Sequence, residues 1–106
     1  MKLYKVNKFV ENYYRHSIDG NEDISTDLMR RKLTRNIHLA KELTPITKII
    51  KIYQYGNLLI VTRWGRVIWL HNLRGNVYFT VDQFQRRKLN QILQIEDDKQ
   101  EQDWGW

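Results

Sequence analysis

The sequence predicts an α+β fold: a four-stranded antiparallel β-meander packed with two N-terminal helices and one C-terminal helix, followed by a flexible acidic C-terminal tail. Apolar residues recur at helical steps of three and four up to about Leu43, alternate from Ile46 to Thr80, and return to helical spacing afterwards. Three glycine-led dipeptides, Gly56-Asn57, Gly65-Arg66 and Gly75-Asn76, punctuate the alternating stretch. At 106 residues the chain has length for one core and no second domain. The division expected is a single domain over 1–94 and a disordered tail over 95–106.

In order along the chain, Val6, Phe9, Val10, Tyr13 and Tyr14 form the apolar side of a first helix, which Asp19-Gly20-Asn21 ends with turn residues. Asp23 or Ser25 then caps a second helix of about 25–43. Its stripe is Met29, Leu33, Ile37, Ala40 and Leu43, and Thr44-Pro45 closes it because the residue before proline is pushed out of the helical region. A glycine first in a two-residue loop suits a type II′ turn, whose twist matches the flanking strands. Thr80 and Gln83 make a capping box for a last helix ending near Gln94, with Phe84, Leu89, Ile92 and Leu93 as its apolar contacts.

Counting outward from these turns assigns the sheet faces. The first hairpin pairs Tyr55 with Leu58, Tyr53 with Ile60 and Lys51 with Thr62. The second pairs Trp64 with Val67, Thr62 with Trp69 and Ile60 with His71. One face then gathers Lys51, Tyr53, Tyr55, Thr62, Trp64, Trp69 and His71, with Tyr78 added across the third turn. The other gathers Ile50, Ile52, Leu59, Val61, Ile68, Leu70, Val77 and Phe79 and is expected to be the core under the long second helix. Three helices suffice to cover both faces, so the aromatic face is either an exposed surface or ordinary core.

Charge is uneven. Five acids and one lysine lie in residues 95–106, which leaves 17 basic and 7 acidic residues in 1–94, a body of +10 and a tail of −4. A body that basic attracts polyanions, nucleic acid foremost. The second helix carries Arg31, Arg35 and His38 at steps of four and three, read as a basic ridge, and the turns add Arg66 and Arg74. Basic groups beside exposed aromatics are the means by which single-strand binders hold a backbone and stack its bases.

The chain has no cysteine, which excludes disulfides, thiolate catalysis and cysteine zinc sites, and makes a reducing cytoplasm the expected setting. No signal peptide or membrane span is legible. The three histidines stand at no metal-ligand spacing, and Asp19, Asn21 and Asp23 imitate the start of a calcium loop whose glycine and glutamate positions hold Ile24 and Arg30. No cofactor is expected. The order of elements, an extended Lys2–Lys5, two helices, a sheet and a last helix, resembles that of RelE-type ribonuclease toxins. That resemblance implies metal-independent RNA cleavage with Arg63, Arg74, Tyr78, His71 and Lys88 as candidates.

The expectation is a small, basic, non-enzymatic accessory protein of bacterial or phage type that binds nucleic acid, single-stranded by preference. Its binding residues would be Lys51, Tyr53, Tyr55, Trp64, Arg66, Trp69, His71, Tyr78, Arg31, Arg35 and Arg74. The alternatives are a protein-binding module, inhibitor or homodimer using the same aromatic patch, because interfaces favour the same residues, and the ribonuclease.

Overall fold

The computed structural model describes residues 1–18, 20–43, 47–74 and 81–96. Their elements are β1 (Lys5–Val6), α1 (Lys8–Ser17), α2 (Thr26–Leu39), β2 (Lys41–Glu42), β3 (Ile50–Tyr55), β4 (Leu58–Arg63), β5 (Arg66–Asn72) and α3 (Gln83–Leu93). The strands form one mixed sheet in the order β1-β5-β4-β3-β2. The predicted antiparallel meander is present as β3-β4-β5. Two short additions make the described sheet five-stranded: β1 runs parallel to β5, and β2 antiparallel to β3. The expected strand after Gly75, and the expected tail from 97 onward, lie outside the described residues.

Each helix begins at a side-chain cap that satisfies otherwise orphaned N–H groups. Asn7 accepts from the Val10 N–H at 2.8 Å, Ser25 from Leu28 at 3.1 Å, and Asp82 from Phe84 at 3.0 Å and Gln85 at 3.3 Å. Among the described residues, no helix is long and apolar enough to cross a membrane. The second helix stops at Leu39, earlier than expected. Ala40 turns extended, and Lys41, Glu42 and Leu43 pair along β3, with the Leu43 N–H reaching the Ile52 carbonyl at 2.8 Å. Pairing of the β3 edge thus takes residues that the apolar stripe had placed on the helix.

The first hairpin has the register counted from its turn: Tyr55 faces Leu58, Tyr53 faces Ile60 and Lys51 faces Thr62. The second departs from it. Its turn is Trp64-Gly65, with φ of 47° and 74°. Two consecutive positive φ values are the requirement of a type I′ turn. Arg63 therefore pairs with Arg66, Val61 with Trp69 and Leu59 with His71, and an irregularity between Val61 and Thr62 leaves Ile68 as the extra residue on β5. That bulge changes the parity of β5, so Val67 and Leu70 both point to the helices.

The core consequently lies on the face opposite to the one expected. Val10 and Tyr14 of α1 and Met29, Leu33 and Ile37 of α2 pack in one cluster with Tyr55, Leu58, Ile60, Val67 and Leu70. Of the aliphatic set read as core, only Leu70 is fully buried; Ile50, Ile52, Leu59, Val61 and Ile68 are half-buried, and Val77 and Phe79 are outside the described residues. The three described helices lie on one side. α1 packs on β5, α2 on β3, and α3 on α2, from where Arg86 Nε donates to the Tyr55 hydroxyl at 3.0 Å.

α3 departs in part. It buries Leu93 and half-buries Leu89 as expected, but it also buries Arg86 and Asn90 and leaves Phe84 and Ile92 exposed. Arg35 of α2, read as part of a basic ridge, is 1% exposed. Its Nε donates to Asn36 Oδ1 at 3.0 Å and its Nη1 to Asn90 Oδ1 at 2.9 Å. Helical spacing marks which residues share a face but not which polar side chains will find partners inside, and here the α2–α3 contact is a hydrogen-bonded network with guanidinium groups in it.

Candidate nucleic-acid interface

Among the described residues the helices lie on one side, which leaves the other side of the sheet uncovered by them, and strand pairing orders it into rows. Residues paired across strands share a face, so Ile50, Arg63, Arg66 and Lys5 form one row across β3, β4, β5 and β1. Ile52, Val61 and Trp69 form the next. Lys41, Gln54, Leu59 and His71 form the third, across β2 to β5. The bulge at Ile68 is what brings Arg66 and Trp69 to the same side although they stand an odd three positions apart.

The chemistry of this outer face is one-sided. Its rows hold the cations Lys5, Lys41, Arg63 and Arg66 and no carboxylate among the described residues; Glu42 falls in the Tyr53 register, on the helix side. Trp69 is 42% exposed, and its ring lies against that of His71, with centroids 5.4 Å apart and planes 13° from parallel. At the hairpin tip Trp64 is 75% exposed, with the Arg63 guanidinium carbon 5.4 Å from its ring centroid. A cation over an indole face is favourable, yet an indole so exposed on a left-handed residue has little folding rationale.

The expected binding residues separate into four groups. Trp64, Arg66, Trp69 and His71 come together on the outer face or its tip, and Arg74 is exposed just beyond the end of β5, its N–H donating to Asn72 Oδ1 at 3.0 Å. Tyr53, Tyr55 and Lys51 belong to the helix-side register, with Tyr55 fully buried and Lys51 exposed at the margin. Arg31 is half-buried on α2, ion-paired with Asp27 and donating to the Gln94 carbonyl at 3.0 Å, while Arg35 is core. Tyr78 lies outside the described residues. Lys88 sits on α3, in the helix layer, and is thus not brought to His71 and Arg63.

Tyr53 and Tyr14 are held as neutral phenols. Burial, reinforced by hydrogen bonds with Tyr4 and Glu42, pushes the Tyr53 hydroxyl up to about 12. Burial also raises Tyr14 well above the ordinary phenol value, against the opposing pull of the Arg35 and Arg86 guanidiniums. These groups serve the core. Among the described residues no cluster of histidines and carboxylates fits a metal ion, and Asn21 in the calcium-like segment spends its amide on the Ile18 carbonyl and its oxygen on Lys32.

Lys5, Lys41 and Arg63 were absent from the expected binding set. Lys5 and Lys41 reach the face through two-residue edge strands too short to carry an alternating pattern. Arg63 was legible in principle, as the residue before a Trp-Gly pair that works as an Asn-Gly turn would.

Residues 4–103 match the family model described as YorE. No curated protein and no solved structure matches the chain.

Proposed function

We propose, from the premise that the chain belongs to the YorE family, that it binds single-stranded nucleic acid on the outer face of its sheet. The observation that carries this reading is the pairing of four cations and no described carboxylate with three exposed rings, Trp64, Trp69 and His71. Phosphates would lie along the Lys5–Arg66–Arg63 row and bases would stack on Trp69 and Trp64, each stack worth roughly 1–3 kcal/mol. A single strand is favoured over duplex because a pleated sheet presents rings to unpaired bases, and no described helix is positioned as a groove reader.

Half-buried Ile52, Val61 and Leu59 at the middle of the face favour a second reading, a protein interface with an apolar centre and basic rim. Ionic strength separates the two. Anisotropy of labelled oligothymidylate and a matched RNA, with duplex as comparison, is expected to report salt-sensitive binding that Trp69→Ala weakens at least about tenfold. No binding even at low salt would remove the nucleic-acid reading and leave the protein interface. Breakage of the RNA during the same incubation would instead favour the ribonuclease alternative.

A further inference from the structure

We propose that residues 97–106 of the chain itself dock on this outer face and compete with nucleic acid, a regulation of the site that rests on the binding reading above. The segment carries Asp97, Asp98, Glu101 and Asp103 against one lysine, together with Trp104 and Trp106. Acidic groups followed by flat rings match the two features by which a single strand would be held on Lys5, Arg63, Arg66 and Trp69. The complementarity is therefore of charge and of stacking at once.

The point of departure is the end of α3. Glu96 and Asn21 line the same cavity of about 310 Å³. Asn21 donates to the Ile18 carbonyl at 3.3 Å, and the adjoining Ser17 carbonyl accepts from Asn72 Nδ2 at 3.0 Å. Arg31 Nη1 of α2 donates to the Gln94 carbonyl at 3.0 Å, so the chain leaves residue 96 from the helix layer and must round the sheet to reach its outer face. Ten extended residues span about 33 Å, comparable with the molecule's extents of 36, 28 and 27 Å, which gives the segment length enough to round the sheet edge.

Tethering makes weak contacts sufficient. At an effective concentration near 1 mM, a segment that binds its site with a Kd of about 0.1 mM lowers the affinity of a competitor roughly tenfold.

Two experiments on the full-length chain decide this. The chain has no cysteine, so Gly105→Cys provides a single attachment point for a nitroxide. Docking predicts selective paramagnetic broadening of the Arg66, Trp69 and His71 resonances over those of Phe84 and Ile92, relieved by high salt. Absent or uniform broadening overturns the proposal, whether or not nucleic acid binds. In parallel, the double variant Trp104→Ala/Trp106→Ala keeps the net charge and is expected to bind oligothymidylate about five- to tenfold more tightly than the parent. Equal affinity of the two chains also overturns it, since long-range attraction alone would be untouched by the change. If neither chain binds the oligonucleotide, it is the binding reading that fails, and the nitroxide result alone decides docking.

Discussion

Arg63 faces Arg66 across the last rung of the β4–β5 hairpin, and Lys5 flanks Arg66 from the opposite strand. Three cations in register across adjacent strands repel one another, at a cost of some tenths of a kcal/mol for each directly opposed pair. The opposed charges themselves give folding nothing, whereas a polyanion bound there would be attracted by all three. A row that weakens the free protein and is relieved by a ligand fits the trade between stability and function.

Reversing one charge separates these effects. Arg66→Glu places a carboxylate between Arg63 and Lys5 and is expected to stabilise the fold by about 0.5 kcal/mol in urea titrations. It should lower single-strand affinity at least tenfold, on the order expected for a lost phosphate contact plus repulsion. A variant more stable than the parent that binds equally well would take the row out of the interface.

The hairpin tip makes the same argument from the backbone. Trp64 has a φ of 47°, where a side chain other than glycine costs about 1–2 kcal/mol and asparagine less. Trp64→Asn supplies a favoured type I′ residue and is expected to raise stability by about 0.5–1 kcal/mol, a Tm increase of roughly 2–8 °C for a domain of this size. Loss of the exposed indole should weaken oligonucleotide binding in the same variant. An unchanged affinity would reduce Trp64 to a strained turn without a part in the site.

What the sequence disclosed, and what it hid, follows from the range of each signal. Caps and the first hairpin are local, and Asn7, Ser25 and the Tyr55–Leu58 pairing act within a few residues; of these, Ser25 and the pairing were legible. The second turn was missed by one residue, because glycine signals a positive φ without saying whether its neighbour shares it, and the bulge at Ile68 compounded the slip. The faces were then inverted. β4 reads Leu58-Leu59-Ile60-Val61, apolar on both sides, so its alternation cannot choose. The choice is made by α1 and α2, and by Arg86 giving the Tyr55 hydroxyl a buried partner. Trp69 and His71 remained exposed through this reversal because the bulge carried them to the open side.

Arg35 and Arg31 are one helical turn apart and have different expected consequences. Arg35→Met withdraws the donors from the buried Asn36 and Asn90 oxygens and is expected to destabilise by about 3 kcal/mol or more, a large part of a domain's total. Arg31→Ala loses a partly exposed ion pair with Asp27 and one bond to Gln94, and should cost about 0.5 kcal/mol. Urea titration checks both. If the Arg35 variant were as stable as the parent but bound oligonucleotide poorly, the residue would return to the interface.

Alkaline pH should weaken the fold through Tyr53. Its folded value is raised from 10.0 to about 12. The unfolded chain therefore ionises first, and the contribution is complete below pH 10 and lost as pH rises to 12. Discounted for solvent screening, it amounts to about 1 kcal/mol. Tyr53→Phe is expected to flatten the fall in stability between pH 10 and 12 relative to the parent, measured by urea titration at each pH. An identical fall in both proteins would assign the alkaline loss to Tyr14 or other groups.

The number of phosphates held can be read from salt dependence. If Lys5, Lys41, Arg63 and Arg66 each neutralise one phosphate of a single strand, log K against log salt should have a slope of about −3, at about −0.7 per contact. Removing one cation, as in Lys41→Gln, should reduce the slope by about 0.7 without altering tryptophan quenching. Trp69→Ala should do the reverse, lowering affinity at every salt concentration while leaving the slope in place. A slope near zero in the parent would mean that whatever binds this face does so through Ile52, Val61 and Trp69, with the cations acting only as a rim.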